Sequence, residues 1–145
     1  MSKLIEMLKR HEGVETYAYV DTVGKTTIGV GRNIDPNGGI GLSDEEINFL
    51  LYNDIDRVEE ELYDNFKWFR MVGDVRSEAM IDICFNLGMP RLKKFKKALA
   101  AMEAKDYKLA AIEFLDSKWA NQVGQRAIEL SLMIETAEYQ YELDI

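Results

Sequence analysis

The run EGVETYAYVDTVGKTTIGVG, from Glu12 to Gly31, decides the fold because a helical pattern gives way to a strand pattern within a few residues. Ahead of it, Leu4, Ile5 and Leu8 share one stripe of a helix over residues 3–10. Continuing that stripe places Glu12 on the apolar face, in the last turn before Gly13. The negative end of the helix dipole and apolar burial both disfavour an anion there, so Glu12 is suited to donate a proton. The alternative is a solvated glutamate at a helix end. Thr16 to Asp21 then alternates, with Thr16, Ala18 and Val20 on one side and Tyr17, Tyr19 and Asp21 on the other. A turn around Gly24 leads into Thr26 to Gly31, where Ile28 and Val30 are expected inward and Thr27, Gly29 and Gly31 outward. Asp21 and Thr27 beside two glycines describe a bare groove wall, since glycine weakens a strand unless something must approach its backbone closely.

This order of helix, Glu-Gly, Tyr-x-Asp-Thr and Thr-Ile-Gly-x-Gly resembles the phage lysozymes (endolysins) of glycoside hydrolase family 24, the T-even type. The likeness continues through FNLG at Phe85 to Gly88, SKWANQ, and Gln125-Arg126-Ala127, and so covers nearly the whole chain. It implies a muramidase that cuts the β-1,4 bond between N-acetylmuramic acid and N-acetylglucosamine in bacterial peptidoglycan, without metal or cofactor. Glu12 is then the general acid, and Asp21 stabilises the oxocarbenium-like centre and, with Thr27, positions water. Asn33, at the end of a GRN run that other members share, is assigned to substrate binding together with Phe85 and Asn86. Arg126 is assigned as a partner of the catalytic glutamate. Arg32 stands where the T-even type has histidine, the loop after it is shorter, and the closing IETAEYQYELDI also departs from that type. Two other activities fit a lysozyme-like chain: a module that only grips peptidoglycan, and a lytic transglycosylase. Intact Glu12, Asp21 and Thr27 disfavour the first, and Asp21 has no duty in the second.

The chain of 145 residues, 47% apolar, suits one α+β lysozyme-like domain. The expected arrangement is a hairpin lobe over 13–62, ending in a long connecting helix, and an all-helical lobe formed by 1–12 and 63–145. The cleft is expected where the lobes meet. Ser43 with Glu46 reads as a capping box opening the connector, whose stripe is Ile47, Leu50, Leu51, Ile55, Val58 and Leu62. Asp74 reads as the N-cap of a second apolar helix ended by Gly88 and Pro90. Helices over 92–103, 107–116 and 125–137 follow, with SKWANQ as a helical corner, and no strand is expected after Gly31. Residues Asn33 to Gly41, NIDPNGGIG, form a loop that partly mimics a calcium loop. The match fails where Gly39 replaces a ligand and Ile40 the required glycine.

A net charge of −8 and a pI near 4.7 argue against nucleic acid or an anionic membrane as partner of the whole surface. Lys93, Lys94, Lys96 and Lys97 are a local exception, read as a solubilising face with contact to an anionic polymer as the alternative. The lone Cys84 precludes an internal disulfide and reads as a buried thiol, and His11, the lone histidine, as a solvent-side residue. MSKLIEMLKRHEG has no apolar run long enough for a signal peptide or membrane span. The protein is therefore expected as a monomer in the cytoplasm of the producing cell, acting on the wall after release.

Overall fold

Ser43 and Glu46 open the longest helix as their spacing requires: the Ser43 amide donates to Glu46 Oε1 (2.9 Å) and the Glu46 amide to Ser43 Oγ (3.1 Å). The computed structural model describes residues 1–140, so the last five residues of the closing sequence lie outside the described part. Helix α1 (Ser2–Glu12) precedes three antiparallel strands, β1 (Glu15–Val20), β2 (Thr26–Gly29) and β3 (Arg32–Asn33), in the order β1-β2-β3. Helix α2 (Asp44–Asn65), a 3-10 turn (Lys67–Met71) and helices α3 (Asp74–Leu87), α4 (Met89–Leu92), α5 (Lys96–Glu103), α6 (Tyr107–Leu115), α7 (Lys118–Val123) and α8 (Gln125–Thr136) complete an α+β fold. The chain divides into two compact units, Met1–Leu51 and Tyr52–Ile145, with the boundary inside α2.

In the first unit, all of whose residues are described, Thr27 is the single buried residue. That corrects three expectations. Helix α1 buries nothing, with Leu4, Ile5 and Leu8 all exposed, so Glu12 does not continue a buried stripe and is itself exposed. In the hairpin, Thr27 rather than Ile28 or Val30 points inward. The register pairs Tyr19 with Thr27 and Val20 with Thr26, then shifts before Glu15 meets Gly29, and that irregularity breaks a simple two-residue alternation. A third strand also exists after Gly31, where Thr27 pairs with Asn33 and Ile28 with Arg32. It is two residues long, too short to leave a periodic signal. Ile47, Leu50 and Leu51 of α2 are likewise exposed, and only Val58 and Leu62 of the expected stripe are buried.

The second unit is conventionally packed. Leu62, Met80, Ile83, Leu92, Met102, Phe114 and Ile134 are almost fully enclosed. Phe95 lies 5.4 Å from Phe114 and meets Trp119 edge-on, so Trp119 belongs to the core. Arg76 ties α3, α6 and α8 together. Its guanidinium lies 3.7 Å over the Tyr107 ring while Nε donates to the Ile134 carbonyl (2.6 Å) in the last turn of α8. Gly73 rather than Asp74 is the N-cap of α3, and Asp74 instead supplies the first-turn negative charge. Gly88 ends α3, whereas Pro90 lies inside the first turn of α4, where its missing N–H costs nothing. Asp106 caps α6 by accepting from the Leu109 amide, and Ser117 caps α7 by accepting from the Ala120 amide. Cys84 is buried, and desolvation followed by the charge of Glu61 pushes its thiol up to about 11, which makes it inert.

Ser131 in α8 is buried with no hydrogen-bond partner for Oγ among the described residues. Removing an unpaired buried hydroxyl relieves its desolvation, so Ser131→Ala should stabilise the helical unit by about 1 kcal/mol, roughly 3 °C in Tm. Thermal unfolding measures this, and a lower Tm would show that the hydroxyl has a partner after all.

Candidate active site

Glu12 is the last residue of α1, and Gly13, at φ 79°, turns the chain away while its amide bonds back to the Lys9 carbonyl (2.9 Å). Lys9 and Arg10 supply positive charge where the helix dipole is negative. The Glu12 side chain lies against Gly31. A Cβ built on Gly31 would stand 2.8 Å from Glu12 Oε2 and 3.2 Å from its carboxyl carbon. Gly31, at φ 65°, is therefore glycine for two reasons: its backbone conformation and the carboxylate seated on it. The close approach anticipated over the hairpin glycines is real here, and the group making it is Glu12.

Asp21 closes the β1–β2 turn. Its Oδ1 accepts from the Lys25 amide (2.8 Å) and the Val23 amide (3.0 Å), and its own amide donates to the Lys25 carbonyl (2.9 Å). Both side-chain bonds fall on one oxygen. Thr27 Oγ1 donates to the Lys25 carbonyl (2.9 Å), two residues earlier at the end of the turn, and the residue is only 3% exposed. The open groove wall expected at Thr27 is a buried position.

Asn33 also serves the local backbone. Its Oδ1 accepts from the Asp35 amide (3.0 Å) and its carbonyl from the Ile40 amide (2.9 Å). Asp35, the first position of the would-be calcium loop, accepts from the Asn37 amide (2.8 Å) on one oxygen and the Thr26 amide (3.0 Å) on the other. Gly39 fits because a Cβ there would come within 2.6 Å of Asn33 Oδ1 and 2.5 Å of the Asp35 backbone. Glu46, the twelfth loop position, forms a fork with Arg32 (Nη2–Oε2 2.8 Å, Nη1–Oε1 2.9 Å), and Arg32 also donates to the Gly41 carbonyl. These oxygens hold backbone and guanidinium, and no group of metal-ligating side chains occurs among the described residues. The Arg32–Glu46 clamp was not readable from the sequence, since a separation of fourteen residues across a loop leaves no periodicity. The Arg32 hydrogen bond, then those of Ser43, lower Glu46 to about 2, and Glu46 in turn raises Arg32. The amides of Thr26 and Asn37 lower Asp35.

Glu12, Asp21, Thr27 and Asn33 thus fall together in Met1–Leu51, whereas Phe85, Asn86 and Arg126 belong to Tyr52–Ile145. There, Phe85 is half-exposed on a pocket that Asp54, Arg57 and Glu61 of α2 also line. Asn86 Oδ1 accepts from Trp119 Nε1 (2.7 Å), satisfying a buried indole. Arg126 is bonded to Asp82, with Nε and Nη2 reaching Oδ1 at 2.8 and 2.6 Å. Asp82 was not singled out from the sequence, although a carboxylate on the exposed side of α3 was available as its signal.

A family model described as phage lysozyme matches residues 9–132. The chain is 30% identical to a probable T4-type lysozyme 2 of Dictyostelium discoideum over 94% of this chain and 95% of that protein. It is 29% identical to the pre-baseplate central spike protein Gp5 of Enterobacteria phage T4, over 92% of this chain and 28% of that much longer protein. With an endolysin of Acyrthosiphon pisum secondary endosymbiont phage 1 the identity is 28%, over 81% and 77% of the two chains.

Acid should loosen the loop over 33–46 in a defined window. Asp35 and Glu46 titrate lower when folded than when free, so their stabilisation is complete above their ordinary values of 3.8 and 4.5 and is lost as pH falls below them, for Glu46 toward about 2. Amide exchange at Ser43 should be protected at pH 5 and lose that protection between about pH 4.5 and 2, and exchange at Thr26 and Asn37, which Asp35 holds, should lose its protection as pH falls below 3.8. Glu46→Gln should flatten the response at Ser43, and an unchanged acid response in that variant would remove Glu46 as its source.

Proposed function

The chain belongs to the phage lysozyme family and is a lysozyme, an enzyme that degrades peptidoglycan; on that premise we propose that it hydrolyses the β-1,4 bond between N-acetylmuramic acid and N-acetylglucosamine with Glu12 as general acid and inversion at the anomeric carbon. The observation that carries the reading is the setting of the two carboxylates, one lying against the bare backbone of a glycine and the other held by backbone amides. Glu12 rests on Gly31, and Asp21 is pinned through Oδ1 by two amides, which leaves Oδ2 without a protein donor among the described residues. A positioned donor and a positioned acceptor are what glycoside hydrolysis requires.

In the proposed reaction the Glu12 proton passes to the glycosidic oxygen as its bond to the anomeric carbon breaks. Water enters from the opposite face, its oxygen bonds to that carbon, and its proton goes to Asp21 Oδ2. Thr27 has already committed its hydroxyl proton to the Lys25 carbonyl, so toward the water it can only accept. One water hydrogen on Thr27 and the other on Asp21 leave a lone pair for the sugar. Asp21 then loses its proton to solvent and Glu12 regains one. Phe85 offers an apolar ring for a sugar face, and Asn33 and Asn86 offer amide nitrogens to sugar hydroxyls. Arg126 must exchange Asp82 for the carboxylate of Glu12 if it is to serve that residue. We further propose that the protein acts as a monomer and is released from the producer's cytoplasm onto the wall.

Glu12→Gln should lower turnover by about two to four orders of magnitude without loss of cooperative unfolding. Wall-lytic activity within tenfold of the parent would reject the assignment. Stereochemistry tests Asp21 and Thr27: with water between sugar and Asp21, at a carboxylate separation of about 6.5–9.5 Å, the first product is the α anomer. Proton NMR in the first minutes of digestion reads it, and initial β product would make Asp21 a nucleophile. Product masses lacking the added water would instead indicate a transglycosylase, and no released product a binding module.

A further inference from the structure

The helical unit carries a concave basic groove that the proposed chemistry does not use. Arg91 of α4, Lys94, Lys96 and Lys97 at the start of α5, and Lys118 of α7 line a cavity of about 550 Å³ around Phe95 and Trp119. Glu113 and Asp116 are the only acids in that lining. Five cations against two acids give the lining +3 within a chain of −8, so everything else carries −11. None of the five cations joins an ion pair among the described residues. Lys96 and Lys97 also occupy the first turn of α5, which has no acidic residue, where the dipole disfavours a cation. Uncompensated like charges gathered in a concavity oppose folding, and a bound anion removes that opposition. The lysines after Leu92 are thus partly the wall of a groove rather than a flat solubilising face.

We propose that this groove binds a phosphodiester-linked polyanion attached to the bacterial wall and so retains the enzyme on its insoluble substrate. This rests on the chain being a peptidoglycan hydrolase, and on nothing about which carboxylate does the chemistry. Four of the five cations are lysines, point charges with freely rotating donors that suit a mobile phosphate chain, whereas fixed planar carboxylates are matched by the arginine fork. A membrane surface fits less well. The groove is concave and its aromatics are withdrawn, Trp119 buried and Phe95 half-buried, so no apolar side chain stands ready to insert. A nucleic-acid duplex would meet the −11 of the remaining surface, and the buried Trp119 offers no stacking platform for single-stranded bases.

The test measures sedimentation of full-length Glu12→Gln protein with purified walls, intact or stripped of phosphodiester-linked polymers by hydrofluoric acid. At about 10 mM salt, adding Lys94→Glu and Lys97→Glu should weaken retention on intact walls about tenfold or more. The difference should vanish on stripped walls and in about 0.5 M salt. Near-UV circular dichroism checks that the charge-reversed protein is folded, and Lys105→Glu with Lys108→Glu, an equal charge change outside the lining, should bind as the parent does. Equal retention of parent and charge-reversed protein overturns the proposal. So does a difference that persists on stripped walls, which would make peptidoglycan carboxylates the ligand, or an equal loss in the control pair, which would make net charge the cause. Release of the bound protein by an oligodeoxynucleotide but not by poly(glycerol phosphate) overturns it in favour of nucleic acid. Muropeptide release from stripped walls by protein with Glu12 intact reports the chemistry separately, so failure of the catalytic reading leaves the binding result interpretable.

Discussion

Carboxylate oxygens bonded to backbone amides hold the hairpin of this protein and the loop that follows it. Met1–Leu51 buries one residue, and that residue is a threonine. Without an enclosed apolar core, order in the hairpin and its following loop comes from Asp21 across one turn, Asp35 across the next, Asn33 beside it, and the Arg32–Glu46 fork joined to the capping box of α2. Each such bond, open to solvent, contributes little alone. Several in a contiguous set fix a short stretch of backbone closely, and a catalytic carboxylate needs positional definition more than it needs bulk stability.

The helical unit meets the opposite demand. Its apolar residues enclose Phe69, Phe114, Leu62 and Ile134 almost completely, and its polar groups satisfy particular buried partners, as Asn86 does for the Trp119 indole. Phe95 links the two properties of this unit. It packs against Phe114 and Trp119 on one side, and the basic groove opens beside it. An acidic protein whose substrate is a large anionic polymer meets repulsion at long range, which salt screens beyond about 10 Å. Concentrating cations at one concave place offsets that repulsion locally and leaves the rest of the surface acidic.

Much of this was open to reading from the sequence. Helix termini are set by local chemistry, so Ser43 with Glu46, Asp106, and the glycines after Glu12 and Leu87 announced their helices. The apolar periodicity of α3 and the lower half of α2 announced the core, and the spacing of Glu12, Asp21, Thr27 and the later motifs announced the family. What the chain could not announce was which side of an element faces inward. Thr27 is the buried residue of the hairpin while Ile28 and Val30 lie nearer solvent, and the stripe of α1 reads the same whether or not anything covers it. Pairings between residues far apart in sequence, Arg32 with Glu46, Arg126 with Asp82, and Glu12 with the bare backbone of Gly31, carry no periodic signature. The sequence by itself determined the helices, the hairpin and the enzyme class, because these rest on local spacing and residue type. Tertiary structure alone decided the strand face, the partners of the charged groups and the concavity of the basic groove, because each depends on distances between segments that the linear order does not contain.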